Sequence, residues 1–119
     1  MDYESAKASI LAKPEAVELQ PAGPGVASFK VCHKLFATLA EGEDGVPYIN
    51  LKCEPNRAQE LRDTYPAIQP GHRMNKVHWN SVILDGSVPE DLILELIDHS
   101  YERVVENLPP ADQQRLLGR

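Results

Sequence analysis

The chain has 119 residues, 42% of them hydrophobic and 25% charged, which is the composition of one globular domain, here spanning 1–119, able to bury a core without disulfide or metal staples. Its formal net charge of −6 argues against a generic nucleic-acid binder, which is usually basic. No run approaches the roughly 20 apolar residues of a membrane span, and Cys32 and Cys53 are too few for a secreted disulfide framework.

In chain order, the acidic start Met1–Glu4 lacks an apolar core segment, so no signal peptide is expected and cytoplasmic residence is the default. Residues 3–12 predict a short helix with Tyr3, Ala6 and Ile10 on one face, Asp2 as its N-cap and Pro14 beyond its end. A short strand is expected over Ala16–Gln20, then an irregular loop marked by Pro21, Gly23, Pro24 and Gly25. Residues 28–40 predict a hairpin turning at Cys32-His33. Residues 46–53 alternate, with Ile49, Leu51 and Cys53 opposite Tyr48, Asn50 and Lys52, as a strand with one covered face does. Pro55 opens a helix carrying Ala58, Leu61 and Tyr65 on one stripe, and Pro66 stops it. Pro70 and Gly71 restrict the next strand to a short edge piece. Residues 76–84 predict a strand with Val77, Trp79, Ser81 and Ile83 on the core side and Lys76, His78 and Asn80 on the other. Ser87 and Glu90 have the spacing of a capping box. They precede a helix with Ile93, Ile97, Tyr101, Val104 and Leu108 in one stripe, widened by Leu96 and Val105. Pro109-Pro110 ends it, and residues 111–117 add a short helical piece. The order α-β-β-β-α-β-β-α, with antiparallel hairpins, predicts an α+β two-layer sandwich in which a sheet packs against helices.

The charge is uneven. Residues 1–28 carry two basic and four acidic groups, residues 29–84 seven and six, and residues 85–119 three and eight. Phosphate-binding glycine loops, nucleophile elbows and His-Glu-x-x-His motifs are missing from the sequence, so no cofactor and no enzyme activity is expected. His33, His72 and His78 would need a carboxylate or thiolate to hold a metal, and none is evident nearby. Ser100-Tyr101 is read as core rather than nucleophile, because Tyr101 lies in the apolar stripe. The two cysteines are read as reduced thiols in strands. The strongest polar constellation is Arg73-Met74-Asn75-Lys76-Val77-His78-Trp79-Asn80, together with Lys34, Asn50 and Lys52. Cations would neutralise phosphates there while amides and imidazoles offered hydrogen bonds. The competing reading is a solvent-facing sheet guarded by lysines.

The same residues resemble the MmcQ/YjbR family of small bacterial proteins. The matching pieces are Phe29-Lys30-Val31, Lys34-Leu35-Phe36-Ala37, Leu51-Lys52-Cys53 with Pro55, and Pro70-Gly71-His72. They continue with Met74-Asn75-Lys76-Val77-His78-Trp79 and Leu96-Ile97-Asp98-His99-Ser100-Tyr101, in order over about residues 5–109. The resemblance implies a sheet packed on helices in the arrangement called double wing, and a DNA-binding role, with no catalytic residue to carry over. The Cys32-His33 turn departs from the small residues expected there, and Pro109-Pro110 replaces an ending that would supply a cation.

Two functions follow as the leading expectations, ahead of a third, an enzyme or small-molecule binder using the His/Lys cluster, which needs a concave site near His78 and Lys52. One is DNA binding through Lys34, Lys52, Arg73, Asn75, Lys76, His78 and Asn80. The other is a protein-interaction or chaperone-like module acting through a sheet edge or a homodimer. The first requires the cations of 46–53 and 76–84 to share one exposed side while Trp79 is sealed beneath with the Ile97/Tyr101 row.

Overall fold

The computed structural model describes residues 1–19 and 25–118. The loop expected at 21–25 therefore lies outside them except for Gly25, as does Gln20. The elements are α1 (Tyr3–Leu11), β1 (Val17–Leu19), β2 (Val26–Val31), β3 (Lys34–Glu41), β4 (Pro47–Lys52), α2 (Pro55–Thr64), β5 (Ile68–Pro70), β6 (Trp79–Ile83), α3 (Glu90–Val105) and α4 (Pro110–Leu117). Four strands rather than three precede α2, and a full helix follows α3.

Local chemistry accounts for most boundaries. Asp2 caps α1 by accepting from the Ser5 backbone N–H at 2.8 Å, while its own N–H donates to Ser5 Oγ at 3.0 Å. The Cys32-His33 hairpin turn has φ of 48° and 66°, the left-handed pair of a tight hairpin, which explains why small residues suit that position. Cys32 is thus a turn residue rather than a strand residue. The expected capping box at Ser87 does not form. Ser87 instead donates its backbone N–H and its hydroxyl to Asp85 Oδ1, at 2.9 and 2.6 Å, leaving α3 to start at Pro89 without a side-chain cap. α3 ends at Val105, before the expected stop at Pro109-Pro110, and the two prolines instead open α4, where Pro suits the first turn.

The strands form one antiparallel sheet in the order β1-β2-β3-β4-β6-β5. Paired residues of antiparallel strands point to the same side, so the register divides the sheet into two faces. One face carries Ala27, Phe29, Ala37, Leu39, Ile49, Leu51, Val82 and Ile68. These join Ile93, Leu96, Ile97, Tyr101, Val104 and Val105 of α3 and Ala6 and Ile10 of α1 in one core. A register shift leaves Phe36 without a β2 partner, as in a β-bulge. The bulge turns Phe36 inward, edge-on to the Tyr101 ring at 5.4 Å. The fold is therefore the expected α+β sandwich of an antiparallel sheet on helices.

The other face carries no helix. Ser28, Thr38, Asn50, Ser81 and Gln69 form a polar row across five strands on that side. Lys52 is paired there with Trp79. This corrects the expected parity. Trp79 lies on the face away from Ile97 and Tyr101, and Asn80 lies on the core face. The alternation does not extend back to residue 76, because 71–78 is a loop in which Asn75 Oδ1 accepts from the Val77 and His78 backbone N–H groups. Trp79 is nonetheless buried, since that loop closes over it.

Candidate nucleic-acid interface

The 71–78 loop crosses the helix-free face and is fastened from both sides. The His72 N–H donates to Ser81 Oγ at 2.8 Å, and Asn50 Nδ2 donates to the His72 carbonyl at 3.2 Å. Ser81 Oγ in turn donates to Asn50 Oδ1. Across the strand, Arg62 of α2 donates through Nε to Asn80 Oδ1 at 2.6 Å and through Nη2 to the Trp79 carbonyl at 3.1 Å and the Lys76 carbonyl. Asn80 also donates to the Ala58 carbonyl at 3.3 Å. Asn80 is 3% exposed, so it joins α2 to β6 and leaves the set of surface contacts expected for it.

The remaining candidates sit as follows. Lys34 and Lys52 border one shallow depression of about 250 Å³ with Leu35, Val104 and Asn107. They meet because β3 starts where β4 ends. His78 lies next to them, since its carbonyl accepts from the Cys53 N–H at 2.8 Å. Arg73 is exposed on the loop at φ 61°. The Lys76 ammonium turns back onto the Gly71 carbonyl at 2.9 Å, so it does not stand beside Lys52 as the alternation predicted. Asn75 is exposed, with its side-chain oxygen engaged by the turn.

Ion pairing divides the cations unevenly, with Arg62 of α2 and Arg103 of α3 also outside the carboxylate pairs. Lys7 pairs with Glu18, Lys13 with Asp98, Arg57 with Glu95, and Arg115 with Glu15 and Asp112, all of them in or beside the helix layer. Among the described residues no ion pair engages Lys30, Lys34, Lys52, Arg73 or Lys76. These are the cations of the β2–β3 hairpin, the end of β4 and the crossing loop. Lys30 belongs with them because it shares the helix-free side, a position that its alternation with Phe29 and Val31 already marks.

The histidines and hydroxyls do other work. Among the described residues no three His, Cys, Asp or Glu side chains gather as a metal site. Four consecutive residues of α3 instead reach four places. Asp98 pairs with Lys13, and Ser100 joins β3 to β4. The Tyr101 hydroxyl donates to the Pro14 carbonyl at 2.7 Å, and burial pushes it up to about 12. His99 Nε2 accepts the Glu54 backbone N–H at 3.1 Å, at the start of α2. The periodicity reading passed over His99, whose signal was its place between the α3 stripe and the polar face.

Accepting that bond requires an unprotonated Nε2. Burial, then the nearby Arg57 and Arg103, lower the His99 pKa from its ordinary 6.5. The unfolded chain therefore binds the proton more readily, and folding stability should decline as pH falls below about 6.5, levelling off below the folded-state value. Urea midpoints between pH 7 and 5 should show this decline in the natural chain and a flatter profile in His99→Gln. Parallel profiles would assign the decline elsewhere.

No helix among the described residues is long and apolar enough to cross a membrane. The YjbR family model matches residues 11–103. YbdF of Escherichia coli O157:H7 is 39% identical over 114 residues, covering 96% of this chain and 93% of YbdF. YjbR of E. coli K12 is 37% identical, covering 90% and 89%. Both are uncharacterized proteins. The crystal structure of a Deinococcus radiodurans protein with a DUF419 domain superposes with a TM-score of 0.87 at 30% identity, over 97% of this chain and 87% of that one. A Pseudomonas syringae crystal structure gives a TM-score of 0.76 at 27% identity, over 87% and 99%. The sheet with its bulged β3, the crossing loop and the anchoring run at 98–101 thus stand within a recognised group: the chain belongs to the YjbR family.

Proposed function

We propose that the protein is a non-enzymatic, cytoplasmic DNA-binding module that docks by the end of the sheet bearing Lys34 and Lys52. Arg73, Asn75, Lys76 and His78 of the adjoining loop would add to it, Lys76 by releasing an ammonium held on the Gly71 carbonyl. The observation that carries this reading is the uneven pairing of cations. Lys7, Lys13, Arg57 and Arg115 of the helix layer are paired with carboxylates and Arg62 is spent on Asn80 and two carbonyls, leaving Arg103 as the helix-layer cation outside these pairs. Among the described residues, by contrast, no ion pair engages Lys30, Lys34, Lys52, Arg73 or Lys76. Phosphates would meet unneutralised charge there, while the acidic groups Glu95 and Asp98 of α3 stand on the helix side, each tied to a cation. A non-enzymatic role agrees with the fate of Ser100 and Tyr101, whose hydroxyls are spent on backbone carbonyls. Two free thiols, one of them the buried Cys53, agree with a reducing compartment.

About four phosphate contacts imply a slope of log K against log salt near −3.6, or roughly a hundredfold loss of affinity between 50 and 200 mM salt. Anisotropy titration of a labelled duplex should show that dependence. The Lys34→Glu/Lys52→Glu double variant, altering two surface side chains, should bind at least about tenfold more weakly with a slope reduced by about two. Salt-independent binding, or none at low salt, would overturn the reading.

One observation favours a protein-interaction or homodimer module as the second reading. β1 is an open edge strand on which Val17 and Leu19 remain 54% and 41% exposed. They border a concavity of about 640 Å³ with Lys30 and Cys32. Such an edge suits the addition of a strand from a partner.

A further inference from the structure

We propose that the cleft between the β3–β4 turn and the crossing loop binds a small organic cation, an amine or guanidine attached to a flat or apolar body. The cleft lies on the helix-free face, at the opposite end of β3 and β4 from Lys34 and Lys52. Its volume is about 500 Å³, within the range of small-molecule sites. Glu43 and Asp44 form one wall, Tyr48 and Ile83 the floor, and Gln69 and His72 the other wall.

Three features point to a ligand of this class. First, the lining holds two carboxylates and no lysine or arginine, so it favours a cation and repels an anion. Asp44 spends one oxygen on the Val46 N–H but keeps its charge, and among the described residues neither it nor Glu43 is engaged in an ion pair. Second, the Tyr48 hydroxyl, the Gln69 carboxamide and the His72 imidazole engage in no hydrogen bond among the described residues, yet all border one cavity. They supply donors and acceptors for the body of a ligand, and the Tyr48 ring adds a face for its charge. Third, the walls are held in place before any ligand arrives. The backbone of His72 is bonded at both its N–H and its carbonyl to Ser81 and Asn50, and the Tyr48 and His72 rings meet edge-on at 5.7 Å. A site of fixed geometry loses little entropy on binding. The polar row Ser28, Thr38, Asn50, Ser81 and Gln69 then has a purpose beyond solubility: its last members build the floor and wall of this cleft.

Tyramine, which joins a primary amine to a phenol, is the probe, with neutral tyrosol as its uncharged counterpart. Titrated to about 10 mM against the 15N-labelled full chain, tyramine should give saturable amide shifts confined to 42–48, 69–72 and 81–83, with Kd of about 1 mM or below. Tyrosol should give none. Glu43→Gln alters an exposed turn residue and should weaken tyramine about tenfold, and Gln69→Ala, on the opposite wall, should weaken it independently. The proposal is overturned if tyramine gives no saturable shifts, if its shifts map elsewhere, if tyrosol matches it, or if Glu43→Gln leaves Kd unchanged.

Discussion

Replacing Ser100 by alanine should cost about 2–4 kcal/mol of folding stability, a large effect for the loss of one hydroxyl. The reason lies in the β3 bulge. The β3–β4 ladder runs from Glu41↔Pro47 to Ala37↔Leu51, so Phe36 and Lys52 would be the next opposed pair. They are not paired. Ser100 Oγ sits between them, accepting the Lys52 N–H at 2.9 Å and donating to the Phe36 carbonyl at 2.6 Å. Ser100 is fully buried, so alanine leaves one donor and one acceptor without partners where water has little access. Chemical denaturation should report the loss, and hydrogen exchange should show the Lys52 amide losing protection ahead of the rest of β4. A change below about 0.5 kcal/mol would mean that strand and bulge re-pair without the hydroxyl.

Gly71→Ala should be nearly as costly, at about 1–3 kcal/mol. A Cβ at Gly71 would lie 2.7 Å from Trp79 Cβ and 2.9 Å from the Trp79 carbonyl oxygen. Neither obstacle is the end of a flexible side chain. The Gly71 N–H also donates to that same carbonyl at 2.9 Å, so the loop cannot back away without losing the bond. Relief must come from lifting the crossing loop, which would uncover Trp79. The chain has one tryptophan, so its fluorescence reports this place alone. The variant should emit further to the red than the natural chain, and its midpoint should drop. An unshifted spectrum with unchanged stability would show that the loop tolerates a methyl group and is not closely packed on Trp79.

The parts legible in the sequence are those where one period and one face decide the outcome. The α3 stripe of Ile93, Ile97, Tyr101 and Val104 is buried as its spacing predicts, because a helix with one apolar side has one way to sit on a sheet, whereas Leu108, also buried, lies in the turn beyond the helix. The 46–53 alternation likewise places Ile49 and Leu51 inward and Tyr48, Asn50 and Lys52 outward. Trp79 defeated the same rule. Period two says that alternate residues share a side, but not which side is covered, and a loop folded over the outer face buries a tryptophan as well as a helix layer does. The fastening of that loop by Arg62, Asn50 and Ser81 joins residues up to 31 positions apart, which no local pattern encodes. Ser87 matched the capping spacing, but a competing acceptor two residues away, Asp85, took its hydroxyl. At the candidate interface, Lys34 and Lys52 border one depression, a juxtaposition that the alternation within each strand did not predict, since it grouped Lys52 with Lys76, His78 and Asn80 instead. Asn80 was lost from the set by the same one-residue inversion that moved Trp79.

The most direct measurement is a map of amide shifts in the 15N-labelled protein as an unlabelled DNA duplex is added at low salt. The account predicts the largest changes at 33–35, 52–53 and 72–79, fading as salt is raised, with the outer side of α3 around Glu95 and Asp98 silent. Changes concentrated at 17–19 on the β1 edge, or spread evenly over the surface, would contradict a docking end built from Lys34, Lys52 and the crossing loop.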